Sequence, residues 1–149
     1  MSSGIIVSQQ VIDLFHDIKS KKKIRYCILD LNDTETALVP GECVLKPEPA
    51  DVSLCAVKKE WESFCSKLTL NDCLYIIYDM NYQRPGGARR DKLLLISWCP
   101  ESSSTRKKMI YTSTLNTLKS ALAGIQVEVQ SNDLGDLDFE EVLQKVDKS

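Results

Sequence analysis

Residues 73–99 read CLYIIYDMNYQRPGGARRDKLLLISWC. Two apolar runs, Cys73 to Met80 and Leu93 to Cys99, flank a polar stretch that contains Pro85-Gly86-Gly87. Runs this apolar, with no helical spacing and turn residues between them, predict two strands of a sheet interior joined as an antiparallel hairpin. The intervening NYQRPGGARRDK is expected to form a long polar turn with a basic tip. Such a continuous apolar run reads as a central strand, in a sheet covered by helices.

The flanking segments supply those helices. Ser8 is placed to cap a helix whose apolar residues Val11, Leu14, Phe15 and Ile18 recur at helical spacing. This helix runs out in Lys19-Ser20-Lys21-Lys22-Lys23, where cations suit the macrodipole. Arg25 to Leu31 and Thr36 to Leu45 read as strands about the turn Asn32-Asp33, the second interrupted at Pro40-Gly41. Asp51 to Leu68 carries Leu54, Val57, Trp61, Phe64 and Leu68 on one helical stripe. Gln126 to Val129 fits a short edge strand. Asp138 opens a last helix, with Glu141 placed for a capping box and Phe139, Val142, Leu143 and Val146 facing inward. The whole is an α/β fold, a mixed sheet covered by helices, in one domain over residues 1–149 whose first seven residues are flexible.

Ser104 to Lys119, STRKKMIYTSTLNTLK, is the least ordinary helix. On a wheel of about 100° per residue, Tyr111, Leu115, Leu118 and Leu122 form the core stripe. Opposite lie Arg106, Met109, Ser113, Asn116, Thr117 and Ser120. After its basic first turn this outer face has no charge, unlike a helix that faces water. Small neutral residues permit close approach, and Met adds adaptable apolar area, so the face predicts a partner surface. Arg106 and Lys108 at its rim supply charge complementarity.

Composition narrows the alternatives. The chain of 149 residues has 43% hydrophobic and 27% charged residues and a formal charge of −2, which gives no global attraction to nucleic acid or membrane. No signal peptide or membrane span is expected. The single histidine, His16, argues against Ser-His or Cys-His catalysis and multi-histidine metal sites, and no phosphate-cradling glycine loop is present. No enzyme activity, metal or cofactor is therefore expected. The six cysteines, Cys27, Cys43, Cys55, Cys65, Cys73 and Cys99, contain no C-x-x-C pair and read as buried reduced thiols of a cytosolic protein.

The sequence resembles the actin-depolymerising factor/cofilin family along its whole length. The resemblance is carried by Met1-Ser2-Ser3-Gly4, Phe15-His16-Asp17-Ile18-Lys19, Asn71-Asp72-Cys73-Leu74-Tyr75, Tyr78-Asp79, Trp98-Cys99-Pro100-Glu101 and, most specifically, Arg106-Lys107-Lys108-Met109-Ile110-Tyr111. It implies the ADF-homology, gelsolin-like fold with about four main helices. It also implies a monomeric cytoplasmic protein that binds actin monomers and filament sides, prefers ADP-actin, and severs and depolymerises filaments. The alternative within the fold is a protein of the glia-maturation-factor or coactosin type, which does not depolymerise filaments.

Two surfaces follow from the resemblance. Ser3, Gly4, Arg106, Lys108 and Met109, with the outer face at Ser113, Asn116, Thr117 and Ser120, would meet both monomer and filament. Arg90, Lys92, Lys145 and Lys148 would meet only the filament. Ser3 is the implied site of regulatory phosphorylation by a kinase, reversed by a phosphatase. Arg106, Lys107, Lys108 and Lys119 are expected to meet a phosphoinositide headgroup. The sequence departs from the family pattern at Leu115, Asn116 and Gln144, and it lacks the vertebrate-type basic insertion that would support nuclear entry.

Overall fold

The structure is a computed structural model that describes residues 4–68 and 72–149. Its elements run β1 (Ile6–Val7), α1 (Gln9–Lys21), β2 (Ile24–Leu31), β3 (Ala37–Leu45), α2 (Leu54–Ser66), β4 (Leu74–Gln83), β5 (Arg89–Trp98), α3 (Thr105–Ala121), β6 (Val127–Ser131) and α4 (Phe139–Asp147), with a 3-10 turn at Leu134–Leu137. The six strands form one sheet in the order β1-β3-β2-β4-β5-β6. The central pairs are antiparallel, while β1 joins β3 and β6 joins β5 in parallel, so the sheet is mixed, as expected.

Strand alternation sorts the chain into two cores. Tyr75, Ile77 and Leu95 point to the α1 and α3 side, where they meet Val11, Phe15, Ile18, Tyr111, Leu115 and Leu118. Ile76, Tyr78, Leu94 and Ile96 point to the other side, against Val57, Trp61 and Phe64 of α2 and Phe139, Val142 and Val146 of α4. That is why β4 reads as an unbroken apolar run: both of its faces are core. Ser8, Ser53 and Ser104 cap α1, α2 and α3 through their hydroxyl oxygens. The cap at Ser53 starts α2 at Leu54, the first residue of the apolar stripe and three residues after the expected start at Asp51. Asp138 caps α4 by accepting from the Glu141 N–H, while a reciprocal capping box forms one turn earlier, between Asp133 and Asp136.

Four expectations need correction. The 73–99 hairpin is mostly strand: β4 and β5 pair without interruption from Leu74↔Trp98 to Gln83↔Arg89, which leaves only residues 84–88 as the turn. Asn81 and Tyr82 looked like turn residues because they are polar or follow polar neighbours, yet both are buried. Asn81 accepts from Arg25 at 2.7 Å and donates to Asp91 at 2.8 Å, and the Tyr82 hydroxyl donates to Asp147 at 2.7 Å. The N-terminal segment is anchored from Ile5, which is buried, and Ile6–Val7 is a strand. The edge strand starts one residue later and runs on to Ser131. Pro40-Gly41 does shift the β2–β3 register, and a Cβ on Gly41 would lie 3.1 Å from the Ile28 carbonyl oxygen.

The fourth correction concerns the thiols. Cys27 and Cys43 face each other in the β2–β3 register and form a disulfide, whereas all six were expected to be reduced. Sequence spacing hides this pair, because only the strand register brings the two together. Cys55, Cys65, Cys73 and Cys99 are free. The Cys73 and Cys99 sulfurs lie 2.8 Å apart, and burial, followed by the hydrogen bond to Cys73, pushes the Cys99 thiol up to about 12. The unfolded, unreduced chain should therefore titrate four thiols, and six after reduction. Six before reduction would contradict the Cys27–Cys43 bond.

Candidate functional site

The first turn of α3 is built on the Trp98-Cys99-Pro100-Glu101 stretch. The Ser103 N–H and hydroxyl both donate to the Pro100 carbonyl, and the Ser104 side chain caps the helix at Lys107 N. From there the helix keeps the predicted phase. Tyr111, Thr114, Leu115 and Leu118 are buried, while Arg106, Asn116, Thr117 and Ser120 are exposed. Met109 is 67% exposed, one of the few large apolar side chains on the surface, with Ile6, Leu45 and Leu134. Ser113 is only half-exposed, and its hydroxyl donates back to the Met109 carbonyl at 2.6 Å. It is therefore the least available member of the face.

The helix phase is locked from below. The Tyr75 hydroxyl donates to the Tyr111 carbonyl, the two rings lie 4.8 Å apart, and the Tyr111 hydroxyl donates to Asp30 at 3.2 Å. Burial raises both phenols well above their ordinary range, so they remain neutral donors throughout the physiological range.

Beside Met109, an open cleft of about 590 Å³ is lined by Ile5, Glu35, Thr105, Arg106, Met109 and Ile110. The start of the chain and the start of α3 thus share one surface. Gly4 sits at φ +79°, a left-handed conformation suited to glycine. Ser3 lies outside the described residues. The three cations expected to present free charge each have an internal partner: Arg106 pairs with Glu35 at 2.5 Å, Lys107 with Asp72 at 3.2 Å, and Lys108 donates to the Glu101 carbonyl at 2.7 Å. Glu35 was not identified from the sequence, because only the fold carries the β2–β3 turn to α3.

Of the second group of basic residues, two come together. Lys92 Nζ donates to the Ser149 carbonyl at 3.0 Å, which places the hairpin base beside Lys148, the residue that ends α4. Asp147 holds the same junction by accepting from Tyr82 and pairing with Arg84 at 3.1 Å. Burial, followed by the Asp147 hydrogen bond, pushes the Tyr82 phenol up to about 12. Arg90 is exposed, and Lys145 lines a separate open cleft of about 630 Å³ with Gln126, Glu128 and Gln130.

Comparison with known proteins gives the same surfaces a context. The family model for cofilin/tropomyosin-type actin-binding proteins matches residues 4–147. This chain belongs to that family. A cofilin from Mycosarcoma maydis is 34% identical over 149 residues, which covers 100% of this chain and 99% of its own length. The crystal structure of Streptomyces griseoflavus cofilin superposes with a TM-score of 0.79 at 28% identity, covering 98% of this chain and 99% of that one. Plasmodium berghei actin depolymerization factor 2 superposes at 0.83 with 24% identity over 99% of both chains, and shares the fold.

Within this cofilin-family fold, the expected phosphoinositide residues are spread along α3. Lys119 lies about 17 Å along the helix axis from Lys108 and pairs with Glu128 at 2.6 Å. Among the described residues, no helix is long and apolar enough to cross a membrane.

The two faces of α3 should separate stability from binding. Leu118→Ala, at a fully buried site, should destabilise by about 2–5 kcal/mol in urea unfolding. Asn116→Ala, on the exposed face, should stay within about 0.5 kcal/mol of the parent. Comparable losses in both would contradict the assigned phase.

Proposed function

We propose that this cofilin-family domain, residues 1–149, binds actin monomers through the cleft and outer face of α3, and filament sides through that face plus the hairpin–α4 surface. In this reading it prefers ADP-actin, severs and depolymerises filaments, acts as a cytoplasmic monomer, and makes or breaks no covalent bond. One observation carries the reading: from Met109 to Leu118 the helix has no charged residue, yet its outer face is open to solvent beside the anchored N-terminal strand. A solvated helix face is ordinarily charged, whereas a neutral face of small residues with an exposed Met fits close packing against another protein. Arg106 and Lys108 border it and complement an acidic partner, while Arg90, Lys92, Lys145 and Lys148 offer positive charge elsewhere to a second subunit. Arg106, Lys107 and Lys108, with Lys119 further along the helix, also form the place where a phosphoinositide headgroup would compete with actin.

Paired variants separate the surfaces. Arg106→Ala with Lys108→Ala should weaken monomer and filament binding together, by roughly tenfold or more if the pair is desolvated on docking. Arg90→Ala with Lys92→Ala should impair filament pelleting and severing while monomer affinity stays within about twofold, as expected for charges outside that contact. Equal losses in both assays for both variants would mean one surface rather than two. Filament pelleting by the parent chain without monomer binding or disassembly would instead indicate a coactosin-type side binder.

Regulation is proposed at Ser3, which precedes Gly4 in the sequence. Phosphorylation by a kinase adds about −1.5 to −2 charges, which acidic actin would repel and Arg106 or Lys108 would attract. Ser3→Glu should lose actin binding while Ser3→Ala keeps it, at similar melting temperatures. Equal depolymerising activity in Ser3→Ala and in enzymatically phosphorylated protein would remove Ser3 from the mechanism.

A further inference from the structure

The β2–β3 turn reaches the actin-facing end of α3 with a carboxylate. Asn32 fixes this turn: its side-chain oxygen accepts from Thr36 N at 2.8 Å and Ala37 N at 3.2 Å, and its carbonyl accepts from Glu35 N at 2.9 Å. The Thr36 carbonyl in turn accepts from Ile6 N at 3.1 Å, which ties the turn to β1. Glu35 itself sits at φ 56°, in the left-handed region that a glutamate rarely adopts. The turn is therefore held by backbone and Asn32 bonds that do not involve the Glu35 side chain. That side chain is directed into the cleft, where it meets Arg106 at 2.5 Å. Glu35 is the more enclosed partner, at 30% exposure against 68% for Arg106.

The Asp72 pair and the Glu101 carbonyl occupy the other two cations of the cluster without lining the cleft. Among the described residues that line the cleft, Glu35 is the one that places negative charge where an acidic partner would dock. It has two effects there. It neutralises the guanidinium that would attract the partner, and it repels the partner's own carboxylates. A guanidinium has five donors and can pass from one carboxylate to another, or bridge two, without leaving a donor fork empty.

We propose that Glu35 is a specificity-determining residue of the α3 surface. It holds Arg106 in the free protein and yields it only to a partner that offers a carboxylate at the same place. A partner lacking that carboxylate finds the guanidinium already neutralised by Glu35 and gains nothing from Arg106. The proposal rests on the reading of α3 as the actin-binding face.

The test uses the full chain and monomeric actin, with affinity and association rate measured at low and near-physiological salt. Glu35→Gln keeps the size of the side chain and one acceptor oxygen, and should leave the melting temperature unchanged. It should bind actin roughly two- to fivefold more tightly at low salt, the scale of a surface ion pair, mainly through faster association. The advantage should narrow as salt rises. It should also shrink in the Arg106→Ala background, where no guanidinium is left to release. Glu35→Gln binding no better than the parent, while Arg106→Ala binds more weakly, overturns the proposal alone and makes Glu35 a tether for α3. An equal gain with and without Arg106 also overturns it, by reducing Glu35 to a distant charge. Failure of the parent to bind actin, or an Arg106→Ala variant that binds normally, removes the α3 reading and this inference with it.

Discussion

Everything in this molecule is arranged around β4, a strand with core on both sides. Its alternate side chains serve two different helix layers, Tyr75 and Ile77 on one and Ile76 and Tyr78 on the other. A one-residue slip would exchange the two sets and put each against the wrong layer. The pairing with β5 fixes that register over ten consecutive residue pairs. On the α3 side, Tyr75 carries the constraint one layer further by donating to the Tyr111 carbonyl. The rotation of α3 is thus set by the central strand, and with it the direction in which Met109, Asn116 and Thr117 point. The proposed binding face is what remains after the core has claimed its side of the helix.

Much of this fold was legible in the sequence because burial leaves a periodic trace. The stripes in α1, α2 and α3, and the apolar runs of β4 and β5, follow from the difference between helical and strand spacing. What stayed hidden was polar structure inside the protein. Arg25 is 5% exposed, and it bonds Glu60, the Asp79 carbonyl and Asn81, while Lys46 pairs with Asp79 at 2.7 Å. Each of these residues, read alone, belongs to a loop or surface, and the extension of β4 and β5 through Asn81 and Asp91 was missed for that reason. The Cys27–Cys43 bond was missed on similar grounds, since strand register and not sequence spacing pairs them.

The candidate site divides along the same line. The outer face of α3 was legible because helical phase converts sequence directly into direction. Its charge state was not. Arg106, Lys107 and Lys108 read as a free basic cluster, but their partners Glu35, Asp72 and the Glu101 carbonyl come from three separate places in the chain. Lys119 was grouped with them by charge alone, although the helical rise carries it to the other end. The joining of the hairpin base to α4 through Tyr82, Arg84, Lys92 and Asp147 likewise depends on tertiary contact between distant segments.

The central claim is that the uncharged outer face of α3 is a protein-binding face set by the β4 core. Methionine labelling reads this directly, because Met109 is 67% exposed and Met80 is fully buried. Hydroxyl-radical oxidation of the free chain should modify Met109 readily and spare Met80. Saturating monomeric actin should suppress Met109 oxidation several-fold and leave Met80 unchanged. Undiminished Met109 oxidation in a complex shown to form by an independent binding measurement would contradict the account.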